Sequence, residues 1–204
     1  MKSLFIVAVF AIVLAGASQI SYADTVVFVA SLSGPAESPP NASPGTGFTT
    51  VTYNTVAHTL RVQISFSGLV AGTTASHIHS ATAVPGTGTA GVATTTPTFA
   101  GFPLGVTSGT YDNTLDLTNL SSYNPAFVTA NGGTAASAEA ALIAGISQGR
   151  AYLNIHSQTF PGGEIRGFLA NAPEPATILL LGTGLAGIAA KIGRRRKAIK
   201  SKEA

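Results

Sequence analysis

The stretch TLRVQISFS, Thr59–Ser67, alternates apolar and polar side chains without a break. Successive side chains of a β-strand point to opposite faces, so this segment as a strand has one apolar and one polar face. The apolar positions are Leu60, Val62, Ile64 and Phe66. The pattern predicts a half-buried antiparallel strand, with one face against a core and the other toward water.

The same period of two extends through much of the chain. It predicts further strands at 26–32, 48–53, 75–79, 107–117, 151–156 and 164–169. Turn signals such as Gly34-Pro35, Pro85-Gly86 and Pro161-Gly162-Gly163 lie between these segments. Many short strands with this punctuation predict an all-β domain, either a sandwich or a small barrel.

One segment departs from the strand pattern. Residues 135–148 are rich in alanine, carry Leu142, Ile143 and Ile146 at helical spacing, and are followed by Gly149 as a stop signal. We expect one short helix here, in a Greek-key crossover between strands.

The N-terminus is typical of an export signal. Lys2 supplies a positive start, residues 4–17 are apolar, and Ser21-Tyr22-Ala23 offers the small residues that a signal peptidase requires. We predict a signal peptide over residues 1–23 and a mature chain that begins at Asp24.

The C-terminal tail combines three features of a sorting signal. Pro173-Glu174-Pro175 precedes the uncharged run 176–190, and the chain ends in basic residues over 194–202. As a helix, residues 176–193 would be ~27 Å long, close to the ~30 Å of a bilayer core. The cluster Arg194, Arg195, Arg196 and Lys197 would hold this end in the cytoplasm. The alternative, a buried core helix, is disfavoured because such a helix does not normally run into consecutive arginines.

The charges of the chain are distributed unevenly. Its net charge of +3 comes from the two ends, because residues 24–175 contain three arginines, no lysine and seven acidic side chains. This acidic segment gives no reason to expect nucleic-acid binding.

The chain has no cysteine, so it forms no disulfides and its export signal is not that of a lipoprotein. Residues 24–170 suffice for one domain.

Histidines in two of the predicted strands suggest chemistry. His77 and His79 are two residues apart, so on a strand they share a face and can offer two imidazoles to one metal ion. If the strands 151–156 and 164–169 form a hairpin, His156 lies across from Glu164 and Asn154 across from Arg166. Should the His77 strand lie beside this hairpin, His77, His79, His156 and Glu164 would converge.

Two interpretations of this convergence stay open. In the first, His77, His79 and His156 form a copper or zinc site. In the second, Glu164, Arg166 and Asn154 belong to a polar network that closes the sheet without binding a ligand. The one Gly-x-Ser-x-Gly pattern, at 145–149, lies at the end of the predicted helix and not between a strand and a helix as a nucleophile elbow does, and the sequence contains no phosphate-binding loop, so we expect no enzymatic activity.

Four blocks of the sequence resemble the successive signatures of the CHRD (chordin-type) domain, a family common among exported bacterial proteins. They are LSGPAESPP at 32–40, His77-Ile78-His79, AYLNIH at 151–156 and FPGGEIRG at 160–167. The resemblance covers 24–170 and implies an immunoglobulin-like or superoxide-dismutase-like β-sandwich. His77, His79 and His156 are loosely similar to the copper ligands of copper–zinc superoxide dismutases. The chain has no histidine between His79 and His156, which implies at most a degenerate copper or zinc site without dismutase activity.

The tail over 171–204 resembles a PEP-CTERM sorting signal of Gram-negative bacteria. The resemblance implies recognition by an exosortase, transient anchoring in the inner membrane, cleavage near Pro173-Glu174-Pro175, and release to the cell surface or the extracellular matrix. The favoured function is therefore a non-enzymatic surface or matrix module, which binds polysaccharide or surface proteins through loops such as 82–98. A metal-binding domain with copper or zinc is the alternative.

Overall fold

The computed structural model describes residues 24–172 and, in the tail, 182–185, 187–188 and 191–192. The chain divides into two compact units, Met1–Ala170 and Asn171–Ala204. The predicted signal peptide, the Pro173-Glu174-Pro175 motif and the basic cluster 194–197 lie outside the described residues, as does most of the predicted membrane helix 176–193. Within the described residues, every helix is too short or too polar to cross a membrane.

The described part of the chain is mostly β. Its strands are β1 (Thr25–Ser33), β2 (Thr46–Asn54), β3 (Thr59–Ser67), β4 (Thr73–His79), β5 (Gly109–Asp116), β6 (Tyr152–Ser157), β7 (Ile165–Phe168) and β8 (Ala170–Asn171). Residues 24–172 also contain two helices, α1 (Pro125–Ala130) and α2 (Ala135–Ser147), and two 3₁₀ turns, Gly34–Ala36 and Leu120–Ser122, and the described residues of the tail are helical. The prediction of an all-β domain is confirmed.

Seven of the strands form one curled sheet in the order β4-β6-β7-β1-β2-β3-β5, with antiparallel pairing between neighbours, and the two-residue β8 pairs with β1 outside this order. Pairing is continuous between β1 and β2 but is reduced to one pair, Ser33 with Arg166, between β1 and β7. The sheet therefore consists of a three-stranded part (β4, β6, β7) and a four-stranded part (β1, β2, β3, β5), joined at this pair.

Apolar side chains from both parts meet in one core. Phe28 and Val62 of the four-stranded part and Ile78 and Leu153 of the three-stranded part are fully buried in the same cluster. Burial of each such side chain contributes ~1.5–3 kcal/mol relative to exposure. The shared core holds the two parts together where hydrogen bonding between β1 and β7 is sparse.

The strand Thr59–Ser67 has the predicted limits. Leu60, Val62, Ile64 and Phe66 are buried, whereas Arg61, Ser65 and Ser67 are exposed. It lies between β2 and β5, so each of its edges is hydrogen-bonded. The alternation of apolar and polar residues therefore correctly predicted a strand with one buried face and one solvent-exposed face.

The helix predicted at 135–148 is α2, which ends one residue earlier. Thr134 and Ser137 form a capping box at its start, and Leu142 and Ile146 enter the core. Sequence analysis expected one helix and missed α1. Asn124 caps α1 and Pro125 is at its first position, but six residues are too few to show an apolar period.

The three-stranded part is covered on both sides. Leu153 and Ile155 of β6 face the core, yet Asn154 and His156 on the other face are also buried. Loops after β1, β4 and β6 cover this second face, and their backbone carbonyls accept hydrogen bonds from its side chains. We call it the covered face.

Candidate metal centre

His77 and His79 of β4 and His156 of β6 lie on the covered face, opposite Ile78 and Ile155. In the antiparallel register His77 pairs with Asn154, so His156 is its diagonal neighbour. Diagonal side chains of a sheet are close enough for long or aromatic groups to touch. The structure brings one ring nitrogen of each histidine within 4.8 Å of one from each of the others. We call these three residues the histidine cluster.

The closest contact in the cluster joins Nε2 of His77 and Nε2 of His156, which are 2.9 Å apart. The ring centroids of His77 lie 4.7 Å from those of both His79 and His156. The rings of His79 and His156 are 6.1 Å apart. His77 is thus the central member of the cluster.

Backbone carbonyls fix the orientation of two rings. Nδ1 of His79 donates to the carbonyl of Ala90 at 2.8 Å, and Nδ1 of His156 donates to that of Pro161 at 2.9 Å. A carbonyl only accepts, so Nδ1 carries the proton and Nε2 keeps its lone pair. This is the arrangement that metal-binding histidines commonly have.

Burial favours the uncharged form of the three histidines in the cluster. Burial, with repulsion from the two neighbouring rings, lowers the pKa of His77 to about 3. Burial also lowers the pKa of His79 to about 4 and lowers that of His156. His79 and His156 therefore present the lone pair of Nε2 toward the cluster.

One nitrogen of the cluster, Nε2 of His79, is buried without a hydrogen-bond partner. An unsatisfied buried polar atom is costly, and a metal ion would satisfy Nε2 of His79. An ion bound at ~2.1 Å by each ligand requires nitrogens no more than ~4.2 Å apart. The nitrogens of the cluster lie within 4.8 Å of one another, slightly more than this distance. Small movements of the rings would therefore bring them close enough to bind one ion. The residues present fit copper or zinc.

An aromatic and a cationic side chain adjoin the cluster. The ring of Tyr152 stacks on that of His79 at 4.7 Å and an angle of 6°. The guanidinium of Arg166 lies over the ring of Tyr152, 4.6 Å from its centroid. Its charge contributes to the lowered pKa of His79. The positive potential of Arg166 therefore reaches the histidine cluster.

Arg166 is held by loop carbonyls and one acid. Its Nε donates to the carbonyl of Ala36 at 2.6 Å and its Nη1 to that of Gly88 at 2.9 Å. Nε also lies 3.7 Å from Oε2 of Glu37. Burial raises the pKa of Glu37 to about 7 although Arg166 opposes the shift. At neutral pH Glu37 thus offsets only part of the arginine charge.

A glycine allows this packing. A Cβ at Gly163 would lie 2.5 Å from Nδ2 of Asn154 and 2.7 Å from Oε1 of Glu37, and its φ is +133°. Both contacts are below any normal van der Waals distance. Glycine at 163 therefore lets Glu37 and Asn154 approach each other on the covered face.

Two sequence-based predictions need correction. Glu164 does not join the histidine cluster, because its Oε1 accepts hydrogen bonds from Oγ of Ser43 at 2.6 Å and the backbone N–H of Val70 at 2.7 Å. The predicted polar network of Glu164, Arg166 and Asn154 also differs from the structure, since Arg166 pairs with Glu37 and not with Glu164. Asn154 does lie opposite Arg166 in the register of the hairpin, as expected.

Sequence reasoning missed Glu37, Tyr152 and the carbonyls of Ala90 and Pro161. Glu37 lies in the block 32–40, but nothing local indicates that the turn after β1 reaches β7. His58 lies in the turn after β2, outside the cluster, where its Nδ1 hydrogen-bonds with Oε1 of Glu139 in α2 at 2.9 Å.

Comparison with known proteins gives two family matches. The model of the CHRD domain matches residues 28–169, and the model of the PEP-CTERM protein-sorting motif matches residues 171–197. No curated protein and no solved structure matches the chain. The sorting motif implies processing by an exosortase-type enzyme and export through the membrane to the cell surface.

The CHRD match runs from Phe28 within β1 through β7 and includes every member of the histidine cluster, and the sorting motif begins two residues after it. The chain therefore belongs to the CHRD domain family and carries a C-terminal PEP-CTERM sorting motif.

Proposed function

We propose that this exported domain is a non-enzymatic module that binds copper or zinc through His77, His79 and His156. The observation that carries the proposal is the convergence of three buried ring nitrogens, one from each histidine, within 4.8 Å. The residues His77 and His156 are only 7% and 8% exposed. A substrate would have difficulty reaching an ion beneath the covering loops, which favours metal binding over catalysis.

The residues of the site have distinct parts in binding. The carbonyls of Ala90 and Pro161 hold two rings so that Nε2 faces the ion, which limits the entropy lost on binding. A bound ion would connect β4 to β6 and supply Lewis acidity at the cluster. Binding to the folded state alone would also stabilise the domain, by ~2.7 kcal/mol when the ion is at 100 times its Kd.

Calorimetric titration of the metal-free full-length protein tests this proposal. We expect Kd below ~10 μM, a binding free energy stronger than about −7 kcal/mol, for copper or zinc. His77→Gln and His156→Gln should weaken binding at least tenfold. His58→Gln is the matched control, because His58 lies outside the cluster and pairs with Glu139. Binding weaker than ~10 μM by the unchanged protein, or equal losses in all three variants, would contradict the proposal.

A second candidate function is attachment to extracellular polysaccharide or surface proteins, and the exposed face of β2, β3 and β5 supports it. Phe48 is 46% exposed there. Two adjoining shallow clefts beside it are lined by hydroxyl and amide groups, including those of Thr50, Gln63 and Ser65. An exposed ring beside many hydrogen-bonding groups suits a sugar chain. The tip of the loop 82–98 is also exposed, although Gly88 and Ala90 bond to Arg166 and His79.

Retention of the full-length protein on the host's exopolysaccharide tests this second function. Phe48→Ser should reduce the retained fraction several-fold. Val56→Ser is the matched control, since Val56 is 71% exposed but lies in the turn between β2 and β3. No retention above that of an unrelated β-sandwich protein would count against it.

We also propose the route by which the domain reaches its destination. A signal peptidase removes residues 1–23, the tail anchors the chain transiently in the inner membrane, and an exosortase-type enzyme cuts near Pro173-Glu174-Pro175. The sorting motif matched at 171–197 supports this route. The intact mass of the protein from culture medium should correspond to a chain that starts at Asp24 and lacks Arg194–Lys197. A mass that includes the basic end would contradict release.

The curled sheet is proposed to be a Greek key of the immunoglobulin-like or superoxide-dismutase-like kind. The connections β3–β4, β4–β5 and β5–β6 each pass between the four-stranded and three-stranded parts, which supports such a topology. A crystal structure with another strand order would contradict it.

A further inference from the structure

The ligands of the histidine cluster carry no charge that could offset a metal ion. Within the part of the chain that the structure describes, the cluster contains three histidines and neither a carboxylate nor a thiolate. Glu164, the nearest acid expected from the sequence, is bonded to Ser43 and Val70 instead. A bound ion would therefore keep its full charge.

Burial makes a high charge at this site costly. His77 and His156 are buried, and Nε2 of His79 has no contact with solvent. The cost of moving an ion out of water grows with the square of its charge, so a divalent ion costs roughly four times as much as a monovalent one of the same size. The same three imidazoles thus accept one positive charge far more easily than two.

Arg166 adds to this penalty. Its guanidinium lies 4.6 Å from the Tyr152 centroid, and the Tyr152 ring stacks on His79 at 4.7 Å. The acid that faces it, Glu37, is 3.7 Å away and has a pKa raised to about 7 by burial. Part of the arginine charge stays uncompensated and repels a cation at the cluster.

The number of ligands points in the same direction. Structural zinc is almost always bound by four ligands in a tetrahedron, whereas the cluster offers three. Cu(I) forms stable three-coordinate complexes with nitrogen ligands in a plane. Imidazole by itself suits both copper and zinc, so charge and ligand number must decide.

We propose that the histidine cluster binds copper as Cu(I) in preference to Cu(II) and Zn(II). This inference rests on the metal-binding function proposed above and specifies its ion. Among the residues of the covered face, His77, His79 and His156 bind the ion, and Arg166 selects its charge from a distance. Arg166 thus acts on the bound ion through its positive charge and is not a ligand.

Competition titrations of the metal-free full-length protein test the preference. Cu(I) is added without oxygen in the presence of bicinchoninate, and Cu(II) and Zn(II) are titrated separately against chelators of known affinity. We expect Cu(I) to bind at least 100-fold more tightly than either divalent ion. A Cu(II) or Zn(II) affinity equal to or above that of Cu(I) would overturn the inference while leaving the metal-binding function intact. Failure of all three ions to bind would overturn both.

Variants around Arg166 separate the charge effect from the ligand set. Arg166→Gln should reduce the ratio of Cu(I) to Cu(II) affinity about tenfold, a fall of ~59 mV in the one-electron potential of the bound copper.

Glu37→Gln keeps nearly the same shape and should fold even if Arg166→Gln does not. At pH 8 it removes the negative charge that faces Arg166, so the ratio should rise. An unchanged or lower ratio in Glu37→Gln would contradict the role of Arg166.

Discussion

Two arginine–carboxylate pairs on the sheet differ in their surroundings rather than in their chemistry. Arg61 and Asp112 meet at 2.6 Å on the outer face of the four-stranded part, where their side chains are 51% and 48% exposed. Arg166 and Glu37 meet at 3.7 Å on the covered face, where their side chains are 4% and 5% exposed. Asp112 has a pKa lowered by its hydrogen bond to Arg61, whereas burial raises the pKa of Glu37 to about 7.

The difference shows what covering loops do to a sheet face. Both parts of the sheet alternate apolar and polar residues, but only the three-stranded part has its polar face removed from water. Charges there are costly, so histidines stay neutral and an acid retains its proton near neutral pH. On this face the covering loops keep the three histidines uncharged and hold the rings of His79 and His156 in fixed orientations, as metal ligands require.

The largest expected effect comes from breaking the buried pair. Arg166→Ala leaves Glu37 and the carbonyls of Ala36 and Gly88 without their partner, and should cost ~3–5 kcal/mol of unfolding free energy. Arg61→Ala removes the exposed pair and should change stability little, because water solvates Asp112. Urea unfolding of the two variants measures both. Similar losses in the two would mean that burial does not distinguish the pairs.

The pH dependence of stability should differ in sign between the two acids. The pKa of Glu37 rises from 4.5 to about 7 on folding, so its contribution is complete below about pH 4.5 and is lost as pH rises through about 7. The total is of the order of 3 kcal/mol. The lowered pKa of Asp112 acts in the opposite direction, because its contribution is lost as pH falls.

The variant Glu37→Gln isolates this effect from the histidines, whose lowered pKa values make the fold less stable as pH falls. Unfolding free energies of the native protein and the variant are compared between pH 4.5 and 7.5. The difference between them should change with pH by the amount assigned to Glu37. A constant difference would show that Glu37 has an ordinary pKa.

A smaller effect is expected from crowding the covered face. Gly163→Ala places a methyl group against Asn154 and Glu37 at a positive φ, and should cost ~1–3 kcal/mol. The neighbouring Gly162 has nothing within 4 Å of the added Cβ, so Gly162→Ala is a matched control with little expected change. Thermal unfolding checks the pair. Equal shifts in Tm would contradict the close packing at 163.

The sequence was sufficient where local patterns decide structure. The limits of β3 and the helix α2 follow from apolar periods and stop signals, and the pairing of Asn154 with Arg166 follows from the symmetry of the hairpin. The shared face of His77 and His79 follows from strand geometry. These features depend on neighbours in sequence.

The rest depends on contacts between distant segments. The sequence placed Glu164 near Arg166 and gave no sign of Glu37, which reaches Arg166 only through the path of the turn after β1. The burial of Asn154 and His156 depends on loops from distant parts of the chain, whose local sequence does not show what they cover. A short helix such as α1 shows too little of a period to be detected.

The central claim is that the covered face holds a metal ion on three histidines. Anomalous diffraction from a crystal of the full-length protein loaded with copper tests it most directly. We expect one strong peak at ~2.0–2.1 Å from a ring nitrogen of each of His77, His79 and His156. Absence of a peak there, with copper found only at exposed residues such as His58, would contradict it.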